Sequence, residues 1–284
     1  MKTRIALKFR LARVLNRVFP TRLSRARHLN PRPDISTRRL RSRRLNTLVL
    51  GMGSCHSYLE IGVREGYTLQ DVAATKRVGV DPVPQFEFRR NLPRGVRVFP
   101  ETSDTFFARN TDRFDLIFVD GLHEYEQALR DTLHALEALN SGGLVVVDDT
   151  VPVDEFSGEP DEEDALRLRA LTGDLRRDWN GDVFKVAAFF TTQPAGVGLV
   201  TLWSQDDSDQ HGQTVLWKTR AFEFSTLVKE AQAFVAPSYA ELFIDGKPPE
   251  SFNAFPEQHA LEVALIESRK AAGLNESDSF SGLA

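Results

Sequence analysis

Four residues at the ends of two apolar runs carry the densest chemistry in this chain. Asp120 and His123 follow Leu116-Ile117-Phe118-Val119, and Asp148 and Asp149 follow Leu144-Val145-Val146-Val147. Short apolar runs of this kind are expected of strands buried on both faces. Acids at their carboxyl ends fall on the edge where open α/β sheets bind ligands. Three carboxylates converging there repel one another unless a hard divalent cation or the substrate neutralises them. An all-oxygen donor set favours Mg²⁺ or Ca²⁺ over zinc, so Asp120, Asp148 and Asp149 are the candidate metal ligands. His123 is the candidate general base, since an imidazole titrates near neutral pH. Its competing role is structural, capping the next helix or hydrogen-bonding Asp149. Asp148 is the second catalytic candidate.

A further element must present a cofactor to these groups. Tyr58-Leu59-Glu60-Ile61-Gly62-Val63-Arg64-Glu65-Gly66 is an apolar run ending in an acid and followed by two glycines; a second apolar run, Val78-Gly79-Val80, closes on Asp81. This order predicts strand, glycine turn, helix and parallel strand, the unit that holds an adenosine-bearing cofactor. Gly62 is expected to allow close approach to the ligand, and Asp81 to accept hydrogen bonds from both ribose hydroxyls. A dinucleotide site wants Gly-x-Gly-x-x-Gly for its pyrophosphate. Here the carboxylate of Glu60 precedes the turn, which disfavours a pyrophosphate and suits an ammonium or sulfonium group. An NAD-dependent oxidoreductase is correspondingly disfavoured.

Glu60-x-Gly62-x-x-x-Gly66 resembles motif I of the class I S-adenosylmethionine-dependent methyltransferases. With Asp120-Gly121-Leu122-His123-Glu124-Tyr125, Gly142-Gly143 and Asp148-Asp149, the pattern resembles the family of macrocin-type and cephalosporin-type O-methyltransferases and related bacterial enzymes. The resemblance covers roughly residues 57–150 and fades in the C-terminal third. It implies a Rossmann-like, doubly wound α/β fold: a mostly parallel seven-stranded sheet with an antiparallel last strand, plus helical N- and C-terminal extensions. It implies S-adenosyl-L-methionine as cofactor, contacted by Glu60, Gly62, Gly66 and Asp81, with Ser103 and Asp104 by the adenine and Asp120 by the methionine end. Ser103 or Asp104 also reads as a helix N-cap. It implies methyl transfer to oxygen of a small molecule or sugar, and it supports the metal reading. Gly121 and Leu122, however, stand where a second acid would be expected. The alternative function is a non-catalytic cofactor-binding module attached to a membrane or complex.

Charge is distributed unevenly. Residues 1–45 hold 15 Lys or Arg and one acid, whereas the remainder holds 21 bases and 39 acids. In the arm Ile5, Leu7, Leu11, Val14 and Val18 interleave with Lys8, Arg10, Arg13 and Arg17, a basic amphipathic pattern. It fits peripheral attachment to an anionic membrane, docking on the chain's own acidic domain or a twin subunit, or an organellar transit segment. Nucleic acid has weak support, because no recognition motif accompanies the charge. The expected organisation is a 1–45 arm, a 46–220 cofactor-binding domain and a 221–284 helical extension and tail. Removing the arm is expected to spare the cofactor site. Residues 151–165 read as an acidic loop over the site, either a mobile flap or a solvated connection. The single cysteine, Cys55, excludes an intrachain disulfide framework and reads as a small buried residue. With no run near the ~18 apolar residues of a membrane span, the expected location is cytoplasmic or membrane-peripheral.

Overall fold

A computed structural model describes residues 35–274, apart from 54, 91, 193–195 and 204–211. The amphipathic pattern expected in residues 1–34 lies outside the described residues. Helix α1 (Ile35–Met52) leads into β1 (Ser57–Ile61), α2 (Tyr67–Asp71), β2 (Lys76–Val80), β3 (Val96–Phe99), α3 (Ser103–Phe107) and β4 (Phe114–Val119). Then come α4 (Tyr125–Ala138), β5 (Leu139–Val151), α5 (Glu162–Thr172), α6 (Phe184–Thr191), β6 (Val197–Leu202) and β7 (Gly212–Lys218). Helices α7 (Phe224–Ala233) and α8 (Tyr239–Leu242), a short 3₁₀ turn, β8 (Ala254–Phe255) and α9 (Glu257–Ala272) complete the described chain.

The sheet runs β3-β2-β1-β4-β5-β7-β6-β8. Strands β1 to β5 are mutually parallel, and β7 is antiparallel to both β5 and β6. This is the expected doubly wound sheet, with the two-residue β8 added beside β6 as an eighth strand. Leu116 to Phe118 and Val145 to Val147 are buried, as continuous apolar runs between two helical layers must be. One layer contributes Leu129, Leu133, Phe189 and Leu227. The other contributes Leu45, Leu48, Leu69, Leu261 and Ala264.

That second layer revises the expected division of the chain. The boundary at 45/46 falls inside α1, where Arg44 and Leu45 are buried, and Arg44 Nε donates to Glu257 at 2.8 Å. Helix α9, from the segment beyond 220, packs on β5, β6 and β7 in the same core as α1. Both helices are layers of the fold rather than appendages. Gly142 and Gly143 lie within β5, which starts at Leu139.

The expected acidic flap is fastened. Arg169, fully buried, donates to both carboxylate oxygens of Asp154, at 2.9 and 2.7 Å, and to Asp174 at 2.7 Å. Such bidentate pairing of planar groups is directional as well as electrostatic. Cys55 is buried, and burial together with Asp115 pushes its thiol up to about 12, which disfavours the thiolate.

Deleting residues 1–45 should therefore destabilise the protein. Loss of the buried Leu45 side chain alone is expected to lower the unfolding free energy by about 2–5 kcal/mol, readable as a shifted urea midpoint with Leu45→Ala as the matched single change.

Candidate active site

The carboxyl ends of β1, β2, β4 and β5 meet along one edge. At the end of β1, Glu60 is buried and its Oε2 accepts a hydrogen bond from the Tyr58 hydroxyl at 2.7 Å. Burial pushes the Glu60 carboxyl up to about 8; the Tyr58 bond and Arg41 oppose that, while Asp120 and Asp81 add to it. Asp81 closes β2, with Oδ2 accepting from Arg64 N at 2.8 Å and Oδ1 from Val83 N at 2.7 Å. A carboxylate offers about four lone-pair directions, so Asp81 keeps acceptor capacity for a diol.

The two motif glycines turn out to make room for protein. Gly62 has φ 86°, and a Cβ there would lie 1.8 Å from the Asp120 carbonyl oxygen. It lets β1 and β4 close on each other at their ends. Gly66, at φ 75°, precedes α2, and a Cβ would meet the Phe86 ring at 2.7 Å.

Ser103 and Asp104 open α3, but Thr102 is its N-cap, its hydroxyl accepting from Thr105 N at 3.3 Å. Gln127 Nε2 ties Ser103 (3.2 Å), Asp104 (3.3 Å) and Asp131 (2.9 Å) together. Asp131 is buried on α4, and burial raises its pKa. Sequence reading passed over it as part of a helix face.

Asp120, His123, Asp148 and Asp149 do converge. His123 Nε2 lies 3.2 Å from Asp149 Oδ2 and 3.5 Å from Asp120 Oδ1. Asp149 sits at φ 58°, a left-handed conformation that Asp and Asn tolerate best. In an unbroken strand, adjacent side chains would point to opposite faces. The turn at Asp149 breaks that alternation, where the β5–β7 register shifts between Val147 and Val151. Asp148 accepts from Gln213 Nε2 at 3.0 Å, and Asp149 from Asn180 Nδ2 at 2.5 Å.

Sequence reading missed two partners of this cluster. One is the turn Trp179-Asn180-Gly181-Asp182. Trp179 stacks on His123, with ring centroids 5.0 Å apart, and donates from its indole N–H to Glu159 O at 2.8 Å. Asp182 accepts from Tyr125 N at 2.6 Å, holding the start of α4. A Cβ on Gly181 would meet the His123 carbonyl oxygen at 1.8 Å, so this glycine lets the turn press against the histidine. The other partner is Arg41, whose guanidinium pairs through Nε with Asp148 and lies 3.6 Å from Asp120 and 4.0 Å from Asp149. The asparagine–glycine turn signal was readable, whereas Arg41 was hidden in a run of arginines.

These contacts set the charges. Burial alone would lower the His123 pKa, but Asp149, Asp120 and Asp148 overcome it and raise the value to about 9. Arg41 is likewise held charged against burial by the three aspartates. Asp120, His123 and Asp149 bring three potential ligand atoms within 4.8 Å of one another. The expected set Asp120, Asp148 and Asp149 does not fit a metal ion as arranged, because the Arg41 guanidinium stands among those three side chains. A cavity of about 10 Å³ lies between Asp120, His123, Asp148, Asp149 and Val183, room for about one water molecule. A larger cleft of about 320 Å³, beside Ser141, Lys218, Arg220 and Phe222, lies at the opposite end of β5.

The site does fit S-adenosylmethionine. Asp81 and Asp120 leave an electronegative margin at the strand ends, and the buried Glu60 between them has its proton affinity raised in part by those two acids. A sulfonium or ammonium group would complement that margin.

Residues 59–150 match the family described as a methyltransferase domain. No curated protein matches the chain. Solved structures with a similar fold include the O-methyltransferase from Bacillus cereus in complex with SAH, 18% identical over 62% of this chain and 80% of that one, TM-score 0.43. The O-methyltransferase TomG from Streptomyces achromogenes, in complex with SAM, is 15% identical over 65% and 80%, TM-score 0.40. The N-methyltransferase NodS from Bradyrhizobium japonicum WM9 is 20% identical over 65% and 97%, TM-score 0.43. Residues 59–150 are thus similar to a methyltransferase domain, and they lie within the doubly wound, mostly parallel sheet described above. Among the described residues, no helix is long and apolar enough to cross a membrane.

Asp81→Ala should weaken S-adenosylhomocysteine binding by about 1.5–3 kcal/mol, through loss of charged-acceptor hydrogen bonds, measured by titration calorimetry. Glu60 has a folded-state pKa above its unfolded one, so its contribution favours folding most in acid and declines as pH rises through about 8. Without cofactor, Glu60→Gln should gain stability on the wild type between pH 5 and pH 9, read by chemical denaturation at both.

Proposed function

We propose that the protein transfers a methyl group from S-adenosylmethionine to a hydroxyl oxygen of a small molecule or sugar, with His123 as the proton acceptor. The observation that carries this reading is the contact of His123 Nε2 with Asp149 and Asp120 at the end of the cofactor-binding strands. Held by residues at the ends of β1 and β2, the cofactor would supply an electrophilic methyl on a sulfonium, its S–C bond breaking as the O–C bond to the acceptor forms and a thioether leaves.

The chain's own residues govern alignment and the proton. In-line displacement gains most from holding the acceptor oxygen at attack distance, and Asp120 with the turn at Trp179 would border that position. With Nε2–H of neutral His123 donating to Asp149 and Asp120, the acceptor's proton passes to the other ring nitrogen, Nδ1, and the two carboxylates stabilise the imidazolium that results. Trp179 and Gly181 restrain the ring, so the same nitrogen faces the carboxylates throughout. A base whose conjugate acid titrates near 9 is well matched to a phenolic hydroxyl, with a pKa near 10. That match favours an acidic hydroxyl over a simple alcohol.

The resting imidazole is charged at neutral pH, so turnover should climb as pH rises and level off near 9. His123→Gln should abolish that limb and lower turnover by about 10²-fold or more. A pH–rate profile of both proteins checks this. If His123 acts instead as a fixed cation, the wild-type rate falls above that pH and the proton acceptor lies elsewhere. Asp148→Asn should lower turnover by at least about tenfold, or about 1.4 kcal/mol in the barrier, while S-adenosylhomocysteine affinity stays near that of the wild type. The competing reading, a cofactor-binding module without catalysis, predicts cofactor binding in every variant and no transfer to any hydroxyl acceptor.

A further inference from the structure

We propose that Arg41 is the built-in counter-cation of the carboxylate cluster, holding the place that a divalent metal ion would otherwise take among Asp120, Asp148 and Asp149. Its guanidinium faces all three acids, through Nε to Asp148, Nη1 to Asp120 at 3.6 Å and Nη2 to Asp149 at 4.0 Å. A planar fork of five N–H donors suits several carboxylates at once in a way an ammonium does not. Mg²⁺ and Ca²⁺ need oxygens within about 2.0–2.6 Å of the ion. An ion at the centre of these three side chains would overlap the guanidinium.

The helix that carries Arg41 is also fixed in place. Around it, Leu45 and Leu48 are buried, and Arg43 and Arg44 each reach Glu257 at 2.8 Å. Asn46 donates to Asp71 O at 3.0 Å and accepts from Ala73 N at 2.7 Å. Helix α1 therefore cannot swing the guanidinium out without breaking contacts to both α9 and the chain after α2. The cation is part of the scaffold, at fixed stoichiometry and independent of metal supply.

The inference concerns cation binding and does not need the acceptor to be known. Isothermal titration of the cofactor-free protein with Mn²⁺ tests it. The wild type should show no saturable binding below millimolar concentrations. Arg41→Gln should gain a site at least about tenfold tighter, and Arg41→Gln with Asp148→Asn should lose it again. If Arg41→Gln does not fold alone, Mn²⁺-dependent recovery of its circular dichroism reads the same site. Tight Mn²⁺ binding by the wild type that Asp148→Asn abolishes would overturn the proposal. So would a folded Arg41→Gln that gains no Mn²⁺ affinity, or an unfolded one that Mn²⁺ does not rescue.

Discussion

Repulsion between like charges governs the carboxyl edge of this sheet. Parallel strands all end on the same side, so an acid at the end of each one is an acid beside its neighbours. At an effective dielectric constant near 20, two such charges 4 Å apart cost about 4 kcal/mol. Asp120 lies beside Arg41 and His123, and each of the other four acids has its own answer. Glu60 is buried against a tyrosine hydroxyl with its proton affinity raised. Asp81 is held by two backbone amides. Asp148 meets Arg41 and Gln213, and Asp149 meets His123 and Asn180. The placement of α1 and of the turn at residues 179–182 follows from these demands as much as from apolar packing.

The strand ends are shaped to match. Gly62 allows β1 to close against the Asp120 carbonyl, and the left-handed Asp149 lets consecutive aspartates serve one cluster. The latter is costly for most side chains, by about 1–2 kcal/mol. Asn is the replacement best able to keep that backbone, and it would do so without the charge. Local backbone geometry and site chemistry are thus set by the same residues.

Much of this was legible from the sequence because parallel strands announce themselves. Apolar runs capped by Glu60, Asp81, Asp120 and Asp148-Asp149 gave the strands, their direction and the edge on which ligands bind. His123 was visible as the imidazole beyond a strand end. Arg41 was not, since its significance depends on α1 running back along the sheet, and nothing in Arg38-Arg39-Leu40-Arg41 marks one guanidinium over the others. Asn180 and Gln213 were equally silent, because each meets its aspartate from far along the chain. The boundaries at 45 and 220 followed changes in composition, whereas packing follows which faces are apolar: Leu45 and Leu48 on α1, Leu261 and Ala264 on α9.

Helix α1 ends just before β1 begins, so it runs back along the sheet and its first turns approach the carboxyl edge, where Arg41 meets the aspartates. The 34 residues before it, with 10 Lys or Arg against one acid, join the fold at that end. Basic residues therefore continue, along the chain, from the helix end whose Arg41 already meets the acids of that edge, and salt would screen any attraction between the two.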